Sequence, residues 1–207
     1  MQVAIPLYPR FTALDAVGPY TVLAFAPGWT VTFVAATPGP VIDDKGGLSI
    51  TATASFEDLP RPDVLLVPGG PGTVAAAGDE KLLSWIRAAH QHTRWTTSVC
   101  SGSFVLGAAG VLAGQKATSH WGWADRLPAV GAEHIKQRVV IDGKIVTAAG
   151  VSSGIDMALI LLAEAQDAET ARTVQLAIEY DPQPPFDAGN PHTAPAARRE
   201  AALSLIF

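Results

Sequence analysis

The sequence predicts an α/β fold with a mostly parallel β-sheet and helices on both faces, and three observations carry that reading. Short β-rich runs alternate with helical ones from residue 3 to residue 109, the pattern of strand–helix–strand crossovers. The run Val64-Leu65-Leu66-Val67 is apolar at every position, as a strand covered on both faces must be. It ends in Pro68-Gly69-Gly70-Pro71-Gly72, a glycine-rich loop at a strand's carboxyl end.

The elements follow in order. Residues 3–7 and 31–35 read as strands around a helix over 14–26, and 64–67 and 96–99 as strands around a helix over 81–90; a further helix covers 101–109. Asp43-Asp44-Lys45-Gly46-Gly47, between residues 41–42 and 48–50, has the turn chemistry of a hairpin, and so has Asp142-Gly143 between 139–141 and 145–146. Both hairpins are expected as antiparallel additions to the sheet. Residues 153–165 form a mostly apolar helix and 168–178 an amphipathic one. Residues 181–195 hold five prolines and read as an irregular surface strap before a short terminal helix. Only 12 residues follow the strap, too few for another domain, so residues 1–207 are expected to form one domain.

Composition narrows the function. With 14 Lys+Arg against 19 Asp+Glu the net charge is −5, and no basic cluster exceeds Arg198-Arg199, which excludes a nucleic-acid partner. Charged residues are 16% of 207 and apolar ones 48%, a balance that demands a large core and argues against disorder. A single cysteine leaves no internal disulfide and no cysteine-rich metal spacing. Pro6, Pro9 and Arg10 interrupt the first apolar stretch before a signal-peptide core is complete. The uncharged stretch between Arg94 and Lys116 is too rich in Ser, Thr and Gly for a membrane helix. A cytoplasmic protein with no membrane partner is expected.

Ser98-Val99-Cys100-Ser101-Gly102 has the small-x-Cys-x-small form of a nucleophile elbow, where a strand turns sharply into a helix and larger flanking side chains would clash. A thiol there meets the positive end of the following helix, which is expected to lower its pKa and supply a thiolate. Away from such flanks a lone cysteine is an inert core residue. Asp15 stands where the first strand passes into the first helix. It is either a carboxylate at a helix N-terminus or, since loops after separate strands converge at one sheet edge, a neighbour of the elbow. Beside a thiolate both pKa values rise, and Asp15 is then protonated near neutral pH and usable as a general acid.

Loop 68–72 offers backbone N–H groups, those of Gly70 and Gly72 among them, for an oxyanion site shared with the Ser101 N–H; the alternative is a plain tight turn. Its spacing fails the dinucleotide fingerprint after Gly72. His90 and His92, two apart on a helix, cannot face one metal. His120 is a pocket residue or a hydrogen-bonded structural histidine, and Phe104, Trp121 and Trp123 are core aromatics or the wall of an apolar ligand site.

Taken together, Leu14-Asp15-x-x-Gly18-Pro19, Val67-Pro68-Gly69-Gly70, Thr97-Ser98-Val99-Cys100-Ser101-Gly102-Ser103, Ser119-His120-Trp121 and Tyr180-x-Pro182-x-Pro184-Pro185-Phe186 resemble the ThiJ/PfpI superfamily over nearly the whole chain, and within it the isonitrile hydratases. The resemblance implies a flavodoxin-like three-layer sandwich, a homodimer, no cofactor and no metal. It also implies Cys100 as nucleophile, Asp15 as its acid and Ser101 as the residue orienting acid or water. A small apolar isonitrile would lie against Gly70, Gly72, His120, Trp121 and Val151, with residues 150–153 as a further edge. Protease-like and chaperone-like members usually carry glutamate near the end of the first strand and often histidine directly after the cysteine. Asp15 and Ser101 occupy those places, which speaks against a peptidase or deglycase. Isonitrile hydratases carry threonine after the cysteine; Ser101 keeps the hydroxyl and drops the methyl. Two rival classes remain at this level: a glyoxalase-like or oxidative-stress protein using Cys100, and a ligand-sensing domain related to AraC-type regulators, which would need a DNA-binding domain in addition.

Overall fold

The structure, a computed structural model, describes residues 1–206. In chain order its first half runs β1 (Gln2–Pro6), α1 (Ala13–Ala24), β2 (Thr30–Ala35), β3 (Gly39–Ile42), β4 (Ser49–Ala52), β5 (Ala54–Ser55), β6 (Val64–Val67), α2 (Thr73–Ala76), α3 (Glu80–His92), β7 (Trp95–Val99) and α4 (Gly102–Ala108). The second half adds β8 (Lys116–Ala117), a 3₁₀ helix (Ala124–Val130), β9 (Glu133–His134), β10 (Val139–Asp142), β11 (Ile145–Ala148), α5 (Ser153–Ala165), α6 (Ala168–Ala177) and α7 (Ala196–Leu203).

Seven strands form the central sheet in the order β10-β11-β7-β6-β1-β2-β5. All neighbours pair in parallel except β10, which closes one edge antiparallel to β11. Every residue of β6 is fully buried, matching its unbroken apolar sequence. Helices cover both faces: α1 packs on α5 and α5 on α6, while α3 and α4 pack together against β6 and β7. On α3 the inward stripe is Leu82, Leu83, Trp85, Ile86 and Ala89, at the three- and four-residue spacing that puts side chains on one helix face. Asp79 starts that helix by accepting the N–H groups of Lys81 and Leu82, and Asp167 starts α6 by accepting that of Thr170.

The two hairpins part company. The 139–148 hairpin extends the sheet as expected, but β3 and β4 form a separate two-stranded sheet. The outer edge of β2 is already taken by β5, through Val34↔Ala54 and Ala35↔Ser55. The hairpin instead folds back over the loop after β1, where the Arg10 N–H donates to Ile42 O at 3.0 Å and the Asp44 N–H to Phe11 O at 2.9 Å. The β8–β9 pair and the 3₁₀ helix have no counterpart in the sequence reading, because two-residue strands and a helix holding Pro128 carry no periodicity. Residues 181–190 are irregular and exposed, and α7 buries none of its side chains.

From β1 the chain winds outward to β2 and β5, then returns to place β6 on the other side of β1. That reversal opens a crevice at the carboxyl ends of β1 and β6, the place where open parallel sheets receive ligands.

Candidate active site

Three loops converge at the crevice, one each after β1, β6 and β7. The last is the elbow. Cys100 has φ 58°, left-handed backbone that costs an L-residue about 1–2 kcal/mol. Hydrogen bonds on both sides hold it: its N–H donates to Ala148 O and Ala149 O at 3.1 and 2.8 Å, and its carbonyl accepts from Ser119 Oγ at 3.0 Å and Ser103 Oγ at 3.2 Å. The small flanks have a measurable reason. A Cβ on Gly102 would lie 2.2 Å from Val67 O, and one on Gly69 would lie 2.5 Å from Ser101 N. Only hydrogen atoms fit where the elbow crosses the loop after β6.

Asp15, in the first turn of α1, is fully buried. Its Oδ2 accepts the Gly69 N–H at 3.0 Å, its Oδ1 has no nitrogen or oxygen partner, and its carboxyl hydrogen-bonds the Cys100 side chain. Burial is the main cause that pushes the Asp15 pKa from 3.8 to about 8, against the lowering pull of the Gly69 amide and Cys100. The acid expected from the sequence is therefore protonated at neutral pH. The thiol departs from its expectation: burial first, and the Asp15 charge second, push Cys100 well up, although the Ser101 N–H and hydroxyl both favour the thiolate. The α4 helix that follows has only seven residues and does not outweigh loss of water. Both groups of the pair keep their protons at neutral pH, which removes the repulsion, and the Asp15 charge, where it forms, holds the remaining proton on sulfur.

Ser101 is also fully buried. Its Oγ accepts the Gly70 N–H at 3.0 Å and lies 2.8 Å from Thr73 Oγ1. Thr73 Oγ1 lies 3.3 Å from Tyr8 Oη, which donates to Pro68 O at 2.5 Å. Four side chains from three segments thus form one buried file, Tyr8–Thr73–Ser101–Cys100. Sequence reading singled out neither Tyr8 nor Thr73, because isolated hydroxyl residues have no spacing to recognise. The Gly70 amide is committed to Ser101, and that of Gly72 to Arg10 O at 3.0 Å. Neither N–H is free for an oxyanion, and Gly72 is not in the pocket wall.

Cys100 lines a cavity of about 200 Å³ together with Gly70, Ser101, His120, Trp123 and Val151, and with Thr12, Asp44, Lys45, Pro71 and Ile206. His120 accepts the Gly122 N–H on Nδ1 at 3.1 Å. Burial lowers its pKa, so the ring is neutral with its proton on Nε2. Trp121 lies tilted beside His120, ring centroids 5.5 Å apart, but the pocket aromatic is Trp123, which packs on Phe104 at 5.3 Å. The resemblance placed Trp121 against the substrate; the turn after Ser119 puts Trp123 in the cavity wall instead. His90 sits in α3 at the far end of β7, its Nδ1 2.9 Å from Thr96 Oγ1. Among the described residues no cluster of His, Cys, Asp and Glu could hold a metal, and no helix is long and apolar enough to cross a membrane.

The chain is similar to isonitrile hydratase of Pseudomonas putida, with 46% identity over 210 aligned positions that cover 99% of this chain and 92% of that protein. It is 31% identical to the deglycase PfpI of Pyrococcus furiosus over 56% of its own length and 70% of the relative's. Among solved structures, a ThiJ/PfpI family protein from Pseudomonas syringae superposes with a TM-score of 0.95 at 43% identity, covering 99% of this chain and 85% of that one. DJ-1β of Drosophila melanogaster shares the fold at a TM-score of 0.76 and 21% identity, over 86% of this chain and 97% of its own. The profile of the DJ-1/PfpI family matches residues 1–164. That span runs from the first strand into α5 and takes in every strand of the central sheet, so the chain belongs to the DJ-1/PfpI family.

Proposed function

We propose that the protein is an isonitrile hydratase, a hydro-lyase that adds water to an isonitrile to give the N-substituted formamide. The carrying observation is the buried Asp15–Cys100 pair beneath a largely apolar pocket, and the 46% identity to the Pseudomonas putida enzyme supports it. The terminal carbon of an isonitrile is electron-rich and becomes electrophilic only once protonated, so the reaction needs an acid and a nucleophile on the same atom. Asp15 gives its proton to that carbon as the Cys100 sulfur attacks it and passes the thiol proton to the Asp15 carboxylate, forming the C–S bond of a thioimidate. Water adds across the C=N bond, placing hydroxyl on carbon and hydrogen on nitrogen. The hydroxyl proton then passes through Asp15 to the Cys100 sulfur as C=O forms and the C–S bond breaks. Formamide leaves, and acid and thiol are both protonated again.

Ser101 keeps the Cys100 sulfur hydrogen-bonded during this cycle, backed by Thr73. His120, Trp123 and Val151 receive the substituent on nitrogen. The chain works as one domain, as a homodimer without cofactor. It works in the cytoplasm, where a reducing environment preserves its lone thiol. The test is incubation with cyclohexyl isonitrile and, separately, methylglyoxal. Formamide from the first without turnover of the second is expected; lactate from methylglyoxal with no formamide would replace the hydratase by a glyoxalase.

A further inference from the structure

The file Tyr8–Thr73–Ser101–Cys100 has a direction, set by where its three hydroxyl protons can go. Tyr8 spends its one proton on Pro68 O at 2.5 Å, and burial pushes its pKa up, so the proton stays there. Towards Thr73 it offers a lone pair alone. Thr73, the buried first residue of α2, has its hydroxyl 2.8 Å from Ser101 Oγ and 3.3 Å from Tyr8 Oη. O–H···O bonds run about 2.5–3.0 Å, so the contact with Ser101 is the strong one. Ser101 Oγ already accepts the Gly70 N–H at 3.0 Å. Its other neighbours are the Cys100 sulfur and Gly70 O, the latter 3.3 Å away and already accepting the Thr73 N–H at 3.0 Å.

The single bond between Thr73 and Ser101 can run either way. With Ser101 as donor, the Thr73 proton is left with Tyr8 Oη at a poor distance, and the sulfur loses its hydroxyl partner. With Thr73 as donor, the Gly70 amide and the Thr73 hydroxyl fill both lone pairs of Ser101 Oγ. The Ser101 proton then has the Cys100 sulfur as its best remaining acceptor. A buried polar group without a partner is costly, which favours the second arrangement. We propose that Thr73 is a positioning residue: by donating its hydroxyl proton to Ser101 Oγ, it turns the Ser101 proton onto the Cys100 sulfur. Charge builds on that sulfur as it gives up its proton and again as the C–S bond breaks, and hydrogen bonds to an ionised acceptor are the strong ones. The Thr73 donation also polarises the Ser101 hydroxyl, so the first bond strengthens the second. Thr73 does not line the cavity; its influence on the reaction runs through Ser101.

The consequence for turnover rests on the hydratase reading; the consequence for the thiol does not. Cys100 is the lone cysteine, so alkylation by iodoacetamide at about pH 8, followed by mass, reports this sulfur alone. Thr73→Val keeps the side-chain shape and removes the donor. Alkylation is expected to slow at least about twofold, the low end of one hydrogen bond, and kcat for cyclohexyl isonitrile to fall by at least as much with KM unchanged. Thr73→Ala is expected to do the same, and Thr73→Ser to restore both rates. Added to Ser101→Ala, Thr73→Val is expected to change nothing further. A wild-type alkylation rate in Thr73→Val, or an equal slowing in the Ser101→Ala background, overturns the proposal. Slowed alkylation that Thr73→Ser restores, in a protein that makes no formamide, upholds it and removes the hydratase reading instead.

Discussion

The Gly69 N–H donates to Asp15 Oδ2 at 3.0 Å, tying the loop after β6 to the first turn of α1. The bond fixes the carboxyl plane and leaves Oδ1 as the oxygen with no nitrogen or oxygen partner. Asp15→Asn keeps the shape and loses the acidic proton. Turnover is expected to fall by at least about 100-fold, the lower end of what general acids contribute. Single-turnover kinetics check it, and a rate near wild type would move the proton source elsewhere.

The same residue makes a stability prediction of definite sign. The Asp15 pKa rises from 3.8 to about 8 on folding. Between those values the folded chain keeps a proton that the unfolded chain has lost, so stability falls as pH rises through that window. Asp15→Asn removes this dependence. Its unfolding free energy relative to wild type is expected to improve from pH 4 to pH 8, by more than about 1 kcal/mol at the upper end. Denaturant melts at the two pH values measure it; a flat difference contradicts a protonated Asp15.

Cys100→Ala is expected to abolish turnover and leave the fold intact, because the hydrogen bonds that hold the elbow come from its backbone N–H and C=O. Circular dichroism and formamide assays on the same sample decide, and substantial residual hydration would sink the covalent route.

Ser101→Ala leaves the Gly70 N–H and the Thr73 hydroxyl without their shared partner. Turnover should drop more than about tenfold, equivalent to about 1.4 kcal/mol in the transition state, and Ser101→Thr should retain it. Steady-state rates of the two variants are the measurement. An active alanine variant would reduce Ser101 to a small residue that fits the bend.

Gly102→Ala drives a methyl to 2.2 Å from Val67 O and should cost at least about 2 kcal/mol, toward the upper part of the usual overpacking range. Gly110→Ala, where nothing lies within 4 Å but φ is +78°, should cost about 1 kcal/mol. Chemical denaturation separates steric crowding from backbone strain by the difference.

Sheet and elbow were legible because their signals are local: β6 is apolar along its whole length, and Gly69 and Gly102 lack side chains for reasons found within a few ångströms. Asp15 was legible through topology, since a loop after β1 must meet loops after β6 and β7. The thiol's charge was not. Burial outweighs a seven-residue helix, and burial is a property of the whole folded interior. Asp44, Thr73 and Ile206 reach the site from residues far apart in sequence, and no spacing within the chain records such meetings.

Ile206 lines the cavity, and the carbonyl beside it, that of Leu205, accepts from Lys45 Nζ at 3.5 Å. Met1 sits at the amino end of β1, the end of the strands opposite the crevice, its ammonium donating to Gly28 O. Chain continuing past residue 206 therefore starts from a wall of the cavity, whereas chain reaching Met1 arrives at the end of the strands farthest from it, so a change near residue 206 bears on substrate and one near Met1 bears on the sheet alone.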